Sequence, residues 1–314
     1  MVHWIAGHLS MEASDMKKFI LHIAIFFAIV AVVDMAAGKV FWYLQSTKAG
    51  GRTGAEYYVC KESNEDVIIM GSSRASHHYV PQIITDSLGL SCFNAGQDGN
   101  GIILQYGRWK MISERYTPKV IIYDVNPVFD LEANDNMAYV DRLKPVCCDE
   151  NVRNYVADQY PLEQLKLMSK MYRYNYKWLE MASDCLRGRG EANKGYIPLE
   201  GLIRQEVIDG KIPQERVEVN YDEVKLKYLE ELAAECNEKG TKLVFVASPL
   251  FGKHINVEKV FSPVGDLADK YAVPFYNYYD SDYSQRASLF KDSHHLNNEG
   301  AREFTKEIIG RIEI

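Results

Sequence analysis

Asp66-Val67-Ile68-Ile69-Met70-Gly71-Ser72-Ser73-Arg74 is the stretch on which the fold turns. Its apolar run is β-branched and does not alternate with polar residues, the pattern of a strand buried on both faces of a parallel sheet. Gly-Ser-Ser then punctuates it, as a strand-to-helix turn requires, since serine caps helix starts. Lys119-Val120-Ile121-Ile122-Tyr123-Asp124 and Lys242-Leu243-Val244-Phe245-Val246-Ala247 repeat the pattern, and Leu90 to Phe93 and Val273 to Tyr276 are weaker versions. Helical periodicity fills 101–115, 221–239 (closed by Gly240, a C-cap candidate) and 298–312. Strands alternating with helices predict an α/β fold with a doubly wound, parallel five-stranded sheet. Only 130–215 breaks the rhythm. It holds a helical segment near 162–186 and a glycine-containing loop from Arg187 to Gly195, and it reads as a helical insertion after the third strand.

Upstream, Phe19 to Val33 reads FILHIAIFFAIVAVV, with His22 its one polar residue. Apolar character continues past Asp34 through Ala37. A membrane span needs about 20 mainly apolar residues. A charge at mid-bilayer costs roughly 3 kcal/mol, but far less near the interface, where Asp34 would lie. Lys17 and Lys18 precede the run, and Lys39, Phe41, Trp42 and Tyr43 follow it. That order favours a signal anchor with a cytoplasmic N-terminus, the rest of the chain lying outside the cytoplasm. A cleaved signal peptide ending at Ala36-Ala37-Gly38 and a buried soluble helix are the rival readings. The expected organisation is an N-terminal stretch 1–16 outside the native fold (Met16-Lys17-Lys18 reads as a natural start), an anchor over 17–44 that enters the membrane through residues 19–37, a linker over 45–65 and one domain over 66–314.

Composition sets outer limits. The chain has 314 residues, 36 Lys plus Arg, 43 Asp plus Glu and a net charge of −7. Nothing in it forms the concentrated basic face that nucleic acid demands, so no nucleic-acid partner is expected. Cys60, Cys92, Cys147, Cys148, Cys185 and Cys236 include no CxxC pair, which removes zinc and redox motifs. Cys92 and Cys236 fall in core elements and read as buried thiols.

Ligands of open α/β sheets bind beyond the carboxyl ends of the strands. Four blocks stand there: Gly71-Ser72-Ser73-Arg74, Asn94-Ala95-Gly96-Gln97-Asp98-Gly99, Asp124-Val125-Asn126-Pro127, and, before the last helix, Asp292-Ser293-His294-His295-Leu296-Asn297. Together they carry a chemistry. Serine becomes a nucleophile when a base takes its proton. Histidine exchanges that proton near neutrality, and a carboxylate holds the imidazole in the required tautomer. The Ser73 and Gly99 amides and the Asn126 side chain are candidate oxyanion donors. Arg74, His77, Asn94 and Asp124 are candidate pocket residues. Metal binding by His77, His78, His294 and His295 is disfavoured for want of matched carboxylates, and no cofactor is expected. Met171 to Trp178 interleaves aromatics with cations; Tyr172, Tyr176 and Leu179 read either as a packed helix face or as a substrate wall.

These blocks resemble those of the SGNH/GDSL hydrolase superfamily. Ser73 stands in its nucleophile position, Gly99 in its Gly block, Asn126 where its Asn block belongs, and Asp292 and His295 in its terminal Asp-x-x-His. The resemblance covers about 66–127 and 240–312. It implies a three-layer, flavodoxin-like α/β/α sandwich and a Ser73–His295–Asp292 triad. Ser72 replaces the usual Asp of the first block, Arg74 the frequent Leu, and the third block lacks Gly-x-Asn-Asp. With the anchor, these departures are similar to the envelope-associated branch, whose members work beside membrane-bound O-acyltransferases on cell-surface polymers. The implied function is a serine esterase or O-acyltransferase acting on acyl esters, acetyl above all, of envelope polysaccharide. The alternatives are a catalytically inactive glycan-binding or assembly partner of such an acyltransferase, and a soluble lipase.

Overall fold

The computed structural model describes residues 13–133, 137–147, 150–158, 162–175, 177–188, 192–210, 214–215 and 219–312. Most of the stretch assigned to a non-native N-terminus, together with Cys148 and Tyr176, lies outside them. Helix α1 (Ala13–Thr47) is followed by α2 (Gly51–Tyr57). The main sheet has five strands, β1 (Val67–Gly71), β2 (Cys92–Asn94), β3 (Val120–Asp124), β4 (Lys242–Ala247) and β5 (Phe275–Asn277), in the order β2-β1-β3-β4-β5. All pairings are parallel, and the register sets Gly71 beside Asp124 and Asp124 beside Val246. The three strong strand patterns and both weak ones correspond to these strands.

The period of two in a strand explains the layers. Ile68, Met70, Ile121, Tyr123 and Phe245 point to one face, where α5 (Ile102–Ser113), α7 (Glu223–Lys239) and α8 (Val257–Tyr271) cover them. Val67, Ile69, Val120, Ile122, Val244 and Val246 point to the other, under α3 (Ser73–His78), α4 (Pro81–Leu88) and α9 (Asn298–Arg311). The strands lack alternation because both faces are buried. The Asp222 side chain caps α7 by accepting from the Val224 amide (2.9 Å), and Gly240 ends the helix in the left-handed region.

Two expectations need correction. Residues 45–65 are not an irregular linker: they form α2 and a π-turn over Tyr58–Glu62 with a buried face. Their polarity conceals an ion pair. Glu56 and Arg108 are both nearly inaccessible, and Arg108 Nε donates to Glu56 Oε1 at 3.0 Å. A second tie runs from the Thr53 and Gly50 amides to Asp184, on α6 (Trp178–Arg187) of the insertion. The insertion's helical segment is also not continuous. It divides into Glu163–Lys166, a 3₁₀ turn at Tyr172–Tyr174, and α6. Tyr172 packs through its ring and hydroxyl on Lys144 and Glu163, while Leu179 is exposed, so the two do not share a packed face.

Removing one partner of a buried ion pair leaves an uncompensated charge, at a cost of about 3–5 kcal/mol. Arg108→Met is therefore expected to lower stability by about that amount, measured by urea unfolding in detergent. An unchanged midpoint would show that Glu56 finds another partner.

Candidate functional site

The turn after β1 is shaped by close backbone approach. Gly71 adopts φ +136°, and a Cβ there would lie 2.6 Å from the Asp124 carbonyl, so only glycine lets β1 turn so close to β3. Ser72 occupies the N-cap position and Ser73 the first helical position of α3. The loop after β2 presses on the same helix: a Cβ on Gly96 would stand 2.3 Å from the Ser76 amide nitrogen.

Ser73 meets the loop before α9. Its hydroxyl lies 2.8 Å from His295 Nε2. His295 Nδ1 lies 3.0 and 3.1 Å from the two Asp292 carboxylate oxygens. Asp292 Oδ1 also accepts from the His294 and His295 amides (2.8 and 2.9 Å). Burial pushes this carboxyl up, but the hydrogen bond from the His295 side chain, the two amides and the His295 charge outweigh it and hold the group at about 2. It is thus ionised throughout the neutral range, as an orienting carboxylate must be. With Asp292 facing Nδ1, the proton belongs on that nitrogen and Nε2 is left to accept from Ser73.

Asn126 caps the π-turn Pro127–Leu131 with its side-chain oxygen, and its Nδ2 donates to the Ser72 hydroxyl at 2.9 Å. The amide therefore stands one residue from Ser73, although Asn126 belongs to a block that departs from the family pattern. Gly99 lies in the loop after β2 with φ +68°. His77 walls the site. Its ring meets the His295 ring edge to face at 5.2 Å, its Nδ1 lies 2.8 Å from the Ile197 carbonyl, and its Nε2 lies 3.3 Å from Asp98. Both nitrogens face acceptors, which calls for the doubly protonated ring. Burial works against that charge, but the Asp98 hydrogen bond, the Ile197 carbonyl and the neighbouring carboxylates prevail and raise the pKa above 6.5. His294 is exposed, as expected for a residue outside the site, with its Nδ1 beside the Ser293 hydroxyl.

Of the expected pocket residues, Arg74 and Asp124 are buried instead, while Asn94 is largely buried and still contributes to the lining of a cleft. Arg74 donates to the Val125 and Ser248 carbonyls (2.7 and 3.2 Å) and stands 3.6 Å from Asp124. Asp124 is wholly buried and accepts from the Tyr79 hydroxyl at 2.6 Å; burial, only partly countered by Arg74, raises its pKa. The Asn94 side chain spends both amide protons on the Ala75 and Tyr79 carbonyls and accepts from the Gly96 amide. Strand-end position placed these residues near the site, but their polar atoms hold the backbone.

Two contributors were missed. His78 Nε2 accepts from the Leu296 amide (3.0 Å), next to His295, which fixes its tautomer so that Nδ1 donates to the Ser248 hydroxyl at 3.0 Å. Burial, then the His295 and Arg74 charges, push the His78 pKa well down, so the ring is neutral. Ser248 directly follows β4, and the strand-end rule applied to that strand would have found it.

A cleft of about 770 Å³ opens beside this assembly. Gln97 and Asp98 form one wall, Arg52 and Tyr58 the second, and Glu180 and Arg187 the third. Arg52 crosses it to reach Asp98 at 2.9 Å. Among the described residues, no group of three or more His, Cys, Asp or Glu side chains is arranged to hold a metal ion.

No family model matches the chain, and no curated protein does. Among solved structures, the acetyl xylan esterase AlAXEase has 10% identity over 79% of this chain and 100% of that one, with a TM-score of 0.39. A psychrotrophic esterase EstA from Pseudoalteromonas sp., inhibited by monoethylphosphonate, has 11% identity over 78% and 95%, with a TM-score of 0.38. A putative acylhydrolase from Bacteroides fragilis has 12% identity over 78% and 86%, with a TM-score of 0.36. At such values the likeness decides nothing about chemistry, which is read from the site's own atoms.

Asp292 and His77 give opposite pH dependences. Asp292 is depressed from 3.8 to about 2, so its contribution to stability is complete above 3.8 and is lost as pH falls through about 2. His77 is raised above 6.5, so its contribution is complete below 6.5 and is lost as pH rises through the folded value. Denaturation across pH should show Asp292→Asn shrinking the acid limb and leaving the alkaline limb in place, and His77→Gln shrinking the alkaline limb together with the part of the acid limb that Asp98 owes to His77.

Proposed function

We propose that the chain is a membrane-anchored serine ester hydrolase or O-acyltransferase acting on short acyl esters, acetyl first, of cell-envelope polysaccharide. The observation that carries this reading is the continuous contact from Ser73 Oγ to His295 Nε2 and from His295 Nδ1 to Asp292. Serine, imidazole and carboxylate in that order are what acyl transfer needs. Ser73 Oγ attacks the ester carbonyl while His295 Nε2 takes its proton. Electrons moving onto the carbonyl oxygen form an oxyanion, for which the Ser73 and Gly99 amides and Asn126 Nδ2 are the assigned donors. The imidazolium, balanced by Asp292, returns the proton to the leaving alcohol as the acyl-enzyme forms. Water or a sugar hydroxyl then gives its proton to His295 and takes the acyl group, and His295 passes that proton to Ser73 Oγ as its bond to the acyl carbon breaks. The choice between them decides hydrolysis or transfer.

The anchor is supported by α1. Within its segment Ser14–Thr47, an 18-residue apolar stretch reaches a mean hydropathy of 2.5, and none of that stretch is buried in the protein. A membrane location with the catalytic domain outside the cytoplasm, and a polysaccharide substrate presented beside a membrane-bound O-acyltransferase, belong to this reading. The open cleft next to His77 and Asp98 supports a substrate larger than the acyl group alone.

Ser73→Ala is expected to abolish turnover of a small acetyl ester and labelling by a serine-reactive phosphonate, both followed by mass spectrometry. Asn126→Ala should reduce turnover by about 10²–10³-fold, the usual effect of one lost oxyanion donor. Labelling that persists in Ser73→Ala would overturn the nucleophile assignment. Glycan binding by the wild type with no acyl-enzyme from any donor would favour a non-catalytic module.

A further inference from the structure

The insertion carries apolar residues at every third position that the described residues of the chain leave exposed. Leu162, Leu165, Met168 and Met171 are 64%, 68%, 72% and 42% exposed. Trp178 and Leu179 at the start of α6 are 51% and 62% exposed. Lys166 and Lys170 lie between the apolar positions, and both are exposed. Soluble surfaces rarely gather large apolar side chains so densely. Apolar residues with interspersed lysines are the composition of a segment lying in a membrane interface, where chains reach the acyl boundary and cations meet anionic headgroups.

Position relative to α1 decides what covers the row. Asp34, the charge that interrupts the apolar sequence, accepts from the Ser169 hydroxyl (2.5 Å), the Lys170 amide (2.7 Å) and the Met171 amide (2.9 Å). One turn on, Gly38 touches Lys170 so closely that a Cβ would fall 2.2 Å from the lysine Cβ. Further along, the Phe41 and Tyr174 rings pack at 5.3 Å, and Tyr174 donates to Gln45 at 3.2 Å. The contacts at 34, 38, 41 and 45 recur at helical spacing, so one stripe of α1 is docked along the insertion. The segment 169–171 thus lies level with the last turn of the apolar run 19–37. A bilayer that takes in that run reaches the neighbouring row as well.

We infer that Leu162, Leu165, Met168, Met171, Trp178 and Leu179 insert into the headgroup–acyl boundary of the bilayer, as a second membrane contact beside α1. This rests on the reading of α1 as an anchor. The contact holds the insertion, and with it the α6 wall of the cleft, at a set tilt to the lipid surface.

The test uses the full chain reconstituted in vesicles of phosphatidylcholine and phosphatidylglycerol whose acyl chains are brominated near the headgroup. Tryptophan emission is compared with that in unbrominated vesicles. Trp42, on α1, reports the anchor, and Trp178 reports the insertion; W42F and W178F isolate each by difference. M168W, at the most exposed position of the row, gives a second probe in the W178F background. Expected is a loss of emission at Trp178 and at M168W comparable with that at Trp42. Quenching of Trp42 with full emission at both insertion probes would overturn the inference while leaving the anchor in place, and would leave the row to a protein partner. Full emission at all three would overturn the anchor and the inference together.

Discussion

Two elements of the fold, β3 and α3, meet at one carboxylate that water does not reach. Asp124 ends β3 and is buried completely, with Arg74 from the first turn of α3 and Tyr79 from its C-terminal cap as its neighbours. A charge this deep is tolerated only when opposite charge and hydrogen bonds surround it. Satisfying it fixes where Arg74 must be, and Arg74 is the residue after Ser73. The same guanidinium holds the Val125 and Ser248 carbonyls, so it joins the ends of β1, β3 and β4. From Ser248 the chain of bonds passes through His78 to the Leu296 amide, beside His295. Ser73 and His295, 222 residues apart in sequence, are thereby tied to one buried polar cluster. A network of this kind is stable only when nearly every member is satisfied, which makes it sensitive to any single loss.

Much of this was legible beforehand, for a definite reason. Strands buried on both faces must be apolar throughout, so the sheet declared itself at 67–70, 120–123 and 243–247. Strand ends then confined the search to a few residues, among which Ser73, Asp292 and His295 are the ones the structure brings into contact. What stayed hidden was the direction in which each side chain points. Arg74, Asp124 and Asn94 are polar residues at or just after strand ends, and His77 lies one turn further along α3. Only the packing reveals that the first three bond to backbone and the fourth meets His295. Polarity misled in the same way over 45–65, where Glu56 looks solvated in sequence and is buried against Arg108. Composition says whether a residue tolerates water, and a paired charge escapes that rule.

Asp34 shows the converse. Read in the sequence, it is a flaw near the end of an apolar helix. In the structure its carboxylate caps the start of the turn at 169–171, using three donors from the insertion. A carboxylate so supplied with donors sits at a low-dielectric boundary at much smaller cost than a bare one. The insertion, which interrupts the α/β rhythm and contributes nothing to the triad, thus has a place in the molecule: it lies between helix and cleft, bonded to both.

The tie between Glu56 and Arg108 has a mechanical meaning. It bolts α2, four residues beyond the end of α1, to the helix that also supports the loop after β2. Enzymes on flexible tethers sweep a volume set by tether length, growing with the square root of the residues in it. Here no slack chain separates the apolar helix from the site, so the sweep collapses to a layer. With α1 in a bilayer, the molecule would patrol a surface by lateral diffusion, and anything that meets Ser73 would have to come down to that layer. Lengthening the segment after Thr47 would then thicken that layer and leave the contacts around Ser73 as they are.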